Sequence, residues 1–246
     1  MMDKTQFLQS YKEIFEINQL SEFCDEQITL KMYRMTEYML EVNECMNLTA
    51  ITDPIEIIAK HLADSVVASR YIPKGARVCD VGCGGGFPSL PLAIARPDIG
   101  VVGIDSTEKR INYVNESAKR LGLSNLEAIS GRAEDLANTE MRESFDVCIA
   151  RAVANLPVLS ELCIPFVKVG GCFVAMKGRL SEEEVCAAVS GCGKLGTEKL
   201  APEQIDRYLL RSAISDDERT IICLKKVNST PSKYPRNYSQ IKKKPL

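Results

Sequence analysis

The chain has 246 residues, a net charge of −2, 45% hydrophobic and 26% charged side chains. That length can bury a full core in one or two domains, and the near-neutral balance excludes a generally basic surface without excluding a local one. No run approaches the ~18 apolar residues of a membrane span, and the mixed start "MMDKTQFLQSYKEIFEINQ" lacks the pattern of a secretory leader, so a cytoplasmic protein with no membrane partner is expected.

From 1 to 72 the pattern is helical. Phe7, Leu8, Tyr11, Ile14 and Phe15 recur at three- and four-residue steps, as do Met32, Met35, Met39 and Val42, a spacing that assigns them to a core. Asp53-Pro54 predicts an N-cap with proline at the first helical position, opening a helix that runs to about Ser69. In it His61, Asp64 and Ser65 share one face. Residues 1–60 carry five Lys/Arg against eleven Asp/Glu, so this region is a poor phosphate-gripping surface.

The texture changes near Pro73-Lys74-Gly75. Over 73–227 the strand-like runs "RVCDVG", "GVVGID", "LEAIS", "FDVCIA" and "CFVAMKG" alternate with helical segments. The clearest helix is 108–121, with Ser106 or Thr107 as its cap and Gly122 at its C′ position. This alternation predicts an α/β fold, a mainly parallel sheet with helices on both faces, whose ligands bind beyond the carboxyl ends of the strands. Residues 228–246 are rich in Pro, Ser and Lys. Composition predicts a solvated, partly disordered tail there, or else an arm lying along phosphates.

Ten cysteines are scattered without a CxxC pair and His61 is the single histidine, so reduced thiols and no metal site are expected. Cys79 and Cys83 would then make their loop open to oxidation.

"ARVCDVGCGGGFPSLP" has a strand, a glycine turn and a helix start, where backbone N–H groups can meet a nucleotide-like ligand. A dinucleotide fold prefers G-x-G-x-x-G, but Phe87 holds the third glycine's place, and no P-loop is present. Asp80 would sit badly beside a pyrophosphate and well beside a cationic cofactor. S-adenosylmethionine (SAM) fits, with Asp80, Gly82 and Gly84 at its methionine end and strand-end Asp105 accepting both ribose hydroxyls. Glu134 in "SGRAEDL" would read the adenine edge. After the fourth strand stands "RAVANLP", with neither the [DN]-P-P-[YF] segment that handles exocyclic amines nor a pyrimidine-attacking cysteine. An acceptor with an in-plane lone pair, such as guanine N7, needs no general base, only alignment and a favourable field.

The segments "NLTAITDPIEIIAKHLADS", "DVGCGGGFPSLPLAI", "DSTEKRINYVNESAKRLGL", "GRAED", "ARAVANL", "GGCFVAMKG" and "YPR…KKPL" together resemble the glucose-inhibited division protein B family, bacterial small-subunit rRNA guanine-N7 methyltransferases. The resemblance covers nearly the whole chain. It implies a class I (Rossmann-like) methyltransferase sheet with an N-terminal helical extension, SAM as donor, and one guanosine of 16S rRNA, free or within the small ribosomal subunit, as acceptor. Carried over residue by residue, it places the cofactor at Gly82, Phe87, Ala133, Glu134 and Arg151, and sets His61 beside the cofactor mouth. Arg151 would grip a carboxylate or phosphate through its planar fork, and Lys177 would meet RNA phosphate. Arg236 with Lys242, Lys243 and Lys244 forms the expected RNA arm. Three other functions make different demands: a methyltransferase of small molecules or proteins would turn over without RNA, a nucleotide-binding module would bind cofactor without transfer, and a dehydrogenase would want a glycine at position 87.

Overall fold

The computed structural model describes residues 2–151, 154–180, 191–199, 201 and 204–246. Helix α1 (Lys4–Ile17) starts at Asp3, whose carboxylate accepts the Gln6 N–H, and buries Phe7, Tyr11, Ile14 and Phe15. Helix α2 (Glu26–Met46) buries Met32, Met35 and Met39, as their spacing predicts. Asp53 caps α3 (Pro54–Glu56) by accepting the N–H groups of Ile55 and Glu56. The helix then widens into a π-helical run, Ile57–Ala63, before α4 (Asp64–Val67). Such runs are uncommon and often mark functional positions; this one contains His61.

The sheet comprises β1 (Arg77–Val81), β2 (Gly100–Asp105), β3 (Leu126–Ser130), β4 (Phe145–Arg151), β5 (Val167–Lys177), β6 (Ile205–Arg211) and β7 (Asp216–Lys225). Their order is β3-β2-β1-β4-β5-β7-β6. The first five are parallel, whereas β7 runs antiparallel to both β5 and β6. Between them lie α5 (Ser89–Ala95), α6 (Glu108–Arg120), α7 (Ala133–Leu136) and α8 (Leu156–Cys163), and α9 (Tyr238–Lys243) closes the chain. The sequence pattern anticipates β1 to β5. It does not mark β6 and β7, because "IDRYLLR" and "DDERTIICLK" carry the charges of a hairpin at the sheet's edge.

Alternate side chains of each strand point to opposite faces, and the core divides accordingly. Val78, Val101, Val147 and Val174 share one hydrophobic cluster with Phe7, Tyr11, Met32 and Leu62 of the N-terminal helices. Cys79, Val102, Cys148 and Phe173 share the other with Leu159, Tyr234 and Ile241. Residues 1–72 thus join α5 and α6 over one face of the sheet, and the C-terminal segment helps to cover the other. Asn18, just past α1, donates to the Arg211 carbonyl at 2.8 Å and accepts its N–H at 2.9 Å, tying α1 to edge strand β6.

The tail corrects the expectation of partial disorder. Ile241 is wholly buried, and the Arg142 guanidinium donates to the carbonyls of Thr230 at 2.8 Å and Tyr234 at 2.9 Å. The low apolar content hid this because a few buried side chains, among them Tyr234 and Ile241, and the hydrogen bonds of Arg142 and Arg236 suffice to hold the segment. The predicted cap of α6 also differs: Thr107 occupies the N-cap position without a side-chain bond, and Asp105 accepts the Thr107 N–H at 2.8 Å instead. Gly122 follows the helix at φ +62°, as expected.

Candidate active site

Two cavities open at the carboxyl edge of the sheet, on either side of the β1–β4 boundary where the strand order reverses. That switch point is where doubly wound sheets bind ligands. The first, about 310 Å³, is a cleft at the ends of β1, β2 and β3; Gly82, Asp105, Ala133, Glu134, Leu162 and Tyr238 are among its walls. The second, about 390 Å³, lies beyond β4 and β5, with His61, Asp64, Arg151, Lys177, Tyr208 and Arg219 on its walls.

The cleft is shaped by the glycine turn. Gly82 and Gly86 have φ of +77° and +86°, a region open to glycine and strained for other residues, and a Cβ on Gly86 would stand 2.4 Å from Leu90 Cδ1. The turn folds back on Asp105: the Gly84 N–H donates to Asp105 Oδ2 at 3.1 Å. Asp105 therefore both fixes the loop and faces the cleft, with Arg110 at 4.0 Å.

Asp80 lies beneath the loop, fully buried. Its Oδ2 accepts the Ser89 N–H at 3.1 Å and the Ser89 hydroxyl at 2.5 Å, while Oδ1 has no partner. Burial pushes its pKa up from 3.8 to about 6, against the opposing pull of the Ser89 hydrogen bonds. An unpartnered buried carboxylate oxygen is costly, and an ammonium or N–H group would satisfy it. The glycine backbone, the Asp105 and Glu134 carboxylates and this oxygen fit the mixed polar and cationic character of SAM. Cys79 and Cys83 are buried, and burial raises both thiols, so the expected oxidisable loop is not formed.

Phe87 and Arg151 do not line the cleft. The Phe87 ring is buried and stacks on His61, centroids 4.4 Å apart at 21°. Arg151 lies over the same ring, its Cζ 5.2 Å from the centroid. One Arg151 nitrogen donates to the Lys60 carbonyl at 2.9 Å and to Asp64 Oδ2 at 3.2 Å, and the other reaches His61 Nδ1 at 3.4 Å. Arginine only donates, so Nδ1 must accept, and Nε2–H then donates to Thr49 Oγ1 at 2.7 Å. Burial, aided by Arg151, lowers the His61 pKa from 6.5 to about 3. His61 is neutral across the physiological range.

Asp64 is the hub. Its side chain is 8% exposed; Oδ2 takes Arg151, while Oδ1 accepts Arg219 Nε at 3.1 Å and the Tyr208 hydroxyl at 3.3 Å. Sequence patterning sets Asp64 beside His61 but offers no sign of Tyr208 or Arg219. These come from β6 and β7, 144 and 155 residues away in the chain. Lys177 lies on the same wall and donates to the Ala154 carbonyl. Ala152, expected beside Arg151, lies outside the described residues. Arg236 does not extend as an RNA arm requires: it forks onto Glu161 at 2.8 and 2.5 Å, and Glu161 is fully buried. Lys242, Lys243 and Lys244 are exposed. Among the described residues, no group of three or more His, Cys, Asp or Glu side chains could hold a metal ion, and no helix is long and apolar enough to cross a membrane.

A sheet ordered 3-2-1-4-5-7-6 with a reversed seventh strand, carrying a glycine turn after β1 and a carboxylate at the end of β2, defines the class I methyltransferase fold. Solved structures agree on the fold: the chain is similar to the [4+2]-cyclase SpnF (TM-score 0.54, 15% identity, 80% of this chain and 97% of that one). It is likewise similar to a SAM-dependent O-methyltransferase from Thermotoga maritima (TM-score 0.51, 16% identity, 78% and 73%). The family model GidB, rRNA small subunit methyltransferase G, matches residues 28–209. Curated proteins named ribosomal RNA small subunit methyltransferase G align over most of their length and of this chain. That from Clostridium novyi is 40% identical, covering 97% of this chain and 100% of the relative, and that from Bacillus cereus 41%, covering 94% and 98%. The chain belongs to the GidB family of methyltransferases.

Proposed function

We propose that the chain transfers the methyl group of SAM to N7 of a guanosine in 16S rRNA, with the donor in the β1–β3 cleft and the base in the chamber beside β4 and β5. The supporting observation is the pairing of two cavities across the switch point with one loop bordering both: Gly82 lines the cleft, and Phe87 carries the stacked His61 ring of the chamber. When bound, SAM supplies an electrophilic methyl on a cationic sulfur. To hold it, Asp105 would accept the ribose hydroxyls, Glu134 and the Ala133 backbone would meet the adenine, and Asp80 Oδ1, unpaired beneath the loop, would accept from the amino group.

Guanine N7 presents its lone pair without losing a proton, so the chamber needs no general base. Its residues suit that demand. His61 is neutral and poorly basic, and Asp64 has both oxygens engaged by Arg151, Arg219 and Tyr208. Their task is to hold a planar base at one angle and depth, where alignment supplies much of the rate. Arg151, Lys177 and Arg219 put positive charge on the chamber walls, and Lys242 and Lys243 add exposed positive charge on α9, charges that suit an rRNA backbone. Such a substrate places the enzyme in the cytoplasm, acting on rRNA that is free or within the small subunit.

The test is transfer of labelled methyl to unmodified 16S rRNA, supplied naked and in assembled subunits, followed by cleavage specific for 7-methylguanosine. A single labelled guanosine is expected. Turnover without RNA, or cofactor binding with no transfer to either substrate, would overturn it.

A further inference from the structure

The tail carries a feature that its basic composition conceals. Of its two ordered tyrosines, Tyr234 is 7% exposed and belongs to the core, whereas Tyr238, the first residue of α9, is 38% exposed and lines the cleft between the ends of β1 and β3. Tyr238 is the one aromatic ring among the described walls of that cleft, which are otherwise glycine, charged, hydroxyl-bearing or small aliphatic apart from Leu162 and Ile104.

Three anchors hold it there. Ile241, one turn further on, is wholly buried in the cluster beneath α8. The Asn237 side chain caps α9 by accepting the Gln240 N–H at 3.0 Å. Arg236 grips the buried Glu161 of α8 with its N–H, Nε and a terminal nitrogen, at 2.9, 2.8 and 2.5 Å, and also donates to the Lys244 carbonyl at 3.0 Å. An exposed aromatic side chain on a helix fastened by a buried ion pair is a wall built into position. Its neighbours Asp105 and Glu134 supply acceptors for hydroxyl and amino groups. What they lack is a flat apolar surface for a purine, which prefers to pack against an aromatic face.

We infer that Tyr238 is a binding residue for the adenosine end of the cofactor, and that the Arg236–Glu161 pair clamps it in place. The C-terminal segment is then part of the donor site rather than only an RNA contact. This rests on the assignment of the cleft to SAM, and one titration separates the two. S-adenosylhomocysteine, the demethylated product, is titrated calorimetrically into the full-length wild type, Tyr238→Ala and Tyr238→Phe. Wild-type binding is expected, with Tyr238→Ala raising Kd about 3–10-fold and Tyr238→Phe leaving it unchanged, the effect of one aromatic packing contact. An unchanged Kd in Tyr238→Ala, with tight binding by wild type, would overturn the role of Tyr238 alone. No binding by wild type would overturn the cleft's assignment and the inference with it. In the same proteins the affinity for 16S rRNA is expected to stay constant; a loss there without a change in Kd for the nucleoside would make Tyr238 an RNA contact and overturn the inference.

Discussion

The two cavities are built on opposite principles. The cleft is made mostly from short segments that each follow a strand, the glycine turn after β1, Asp105 ending β2, and 131–134 after β3, with Leu162 and Tyr238 added from α8 and α9. The chamber is walled by charged and aromatic side chains drawn from positions 60 to 219, of which Arg151, Tyr208 and Arg219 are joined through one carboxylate. A backbone-built site tolerates little added volume but depends weakly on distant residues. A side-chain network tolerates volume yet fails when its hub is removed.

The largest effect is expected at that hub. Asp64→Ala leaves two half-buried arginines uncompensated and should cost about 3–5 kcal/mol in denaturant unfolding, with rRNA methylation falling at least about 100-fold as alignment is lost. A loss below about 1 kcal/mol would show that the chamber is held by its backbone after all. Next is Arg236→Met, which strands the buried Glu161 and should cost about 2–4 kcal/mol; comparing its Kd for S-adenosylhomocysteine with that of Tyr238→Ala measures how far the clamp serves the cleft.

On the cleft side, Gly86→Ala forces a Cβ to 2.4 Å from Leu90 Cδ1 at φ +86° and should cost about 1–3 kcal/mol, weakening cofactor binding more than RNA binding. If RNA binding suffers equally, the two sites are not separable.

Acid titration distinguishes the regions by sign. His61 holds its pKa near 3 when folded against 6.5 ordinarily, so only the unfolded chain takes up its proton below about 6.5, and stability falls as pH drops from there toward 3. Asp80 is raised from 3.8 to about 6; the folded state keeps its proton more tightly, so its contribution is full at low pH and is lost as pH rises from about 4 through 6. Each slope is at most about 1.4 kcal/mol per pH unit. Melting curves across pH 4–7 should show His61→Asn removing the first slope and Asp80→Asn the second. Smallest is Lys242→Ala, which should lower the salt dependence of rRNA binding by about one phosphate contact and leave cofactor affinity unchanged.

These contrasts also explain how far each site is legible in the chain. The donor side follows from local rules. A glycine cluster behind a strand and a carboxylate about 20 residues on identify the cleft, and "GRAED" adds its third wall, because these walls are contiguous with the strands that present them, unlike Leu162 and Tyr238. The acceptor side is only half visible. Arg151 can be suspected from its place after a strand and His61 only through the family resemblance, but nothing in "IDRYLLR" or "DDERTIICLK" announces that Tyr208 and Arg219 will meet Asp64. The tail is the reverse case. Its composition suggests a solvated basic arm, yet Ile241, Tyr234 and Arg236 dock it onto α8 and bring Tyr238 to the cleft.

By itself the sequence determined the parallel α/β core, the glycine turn and the helical extension, since periodicity, capping and turn chemistry act between residues a few positions apart. Only the tertiary structure decided which charged side chains share Asp64, where Phe87 turns its ring, and that Arg236 pairs with Glu161. Those outcomes depend on which buried charges find partners across the sheet. The cost of leaving any one unpaired is settled by packing between segments as much as 155 residues apart.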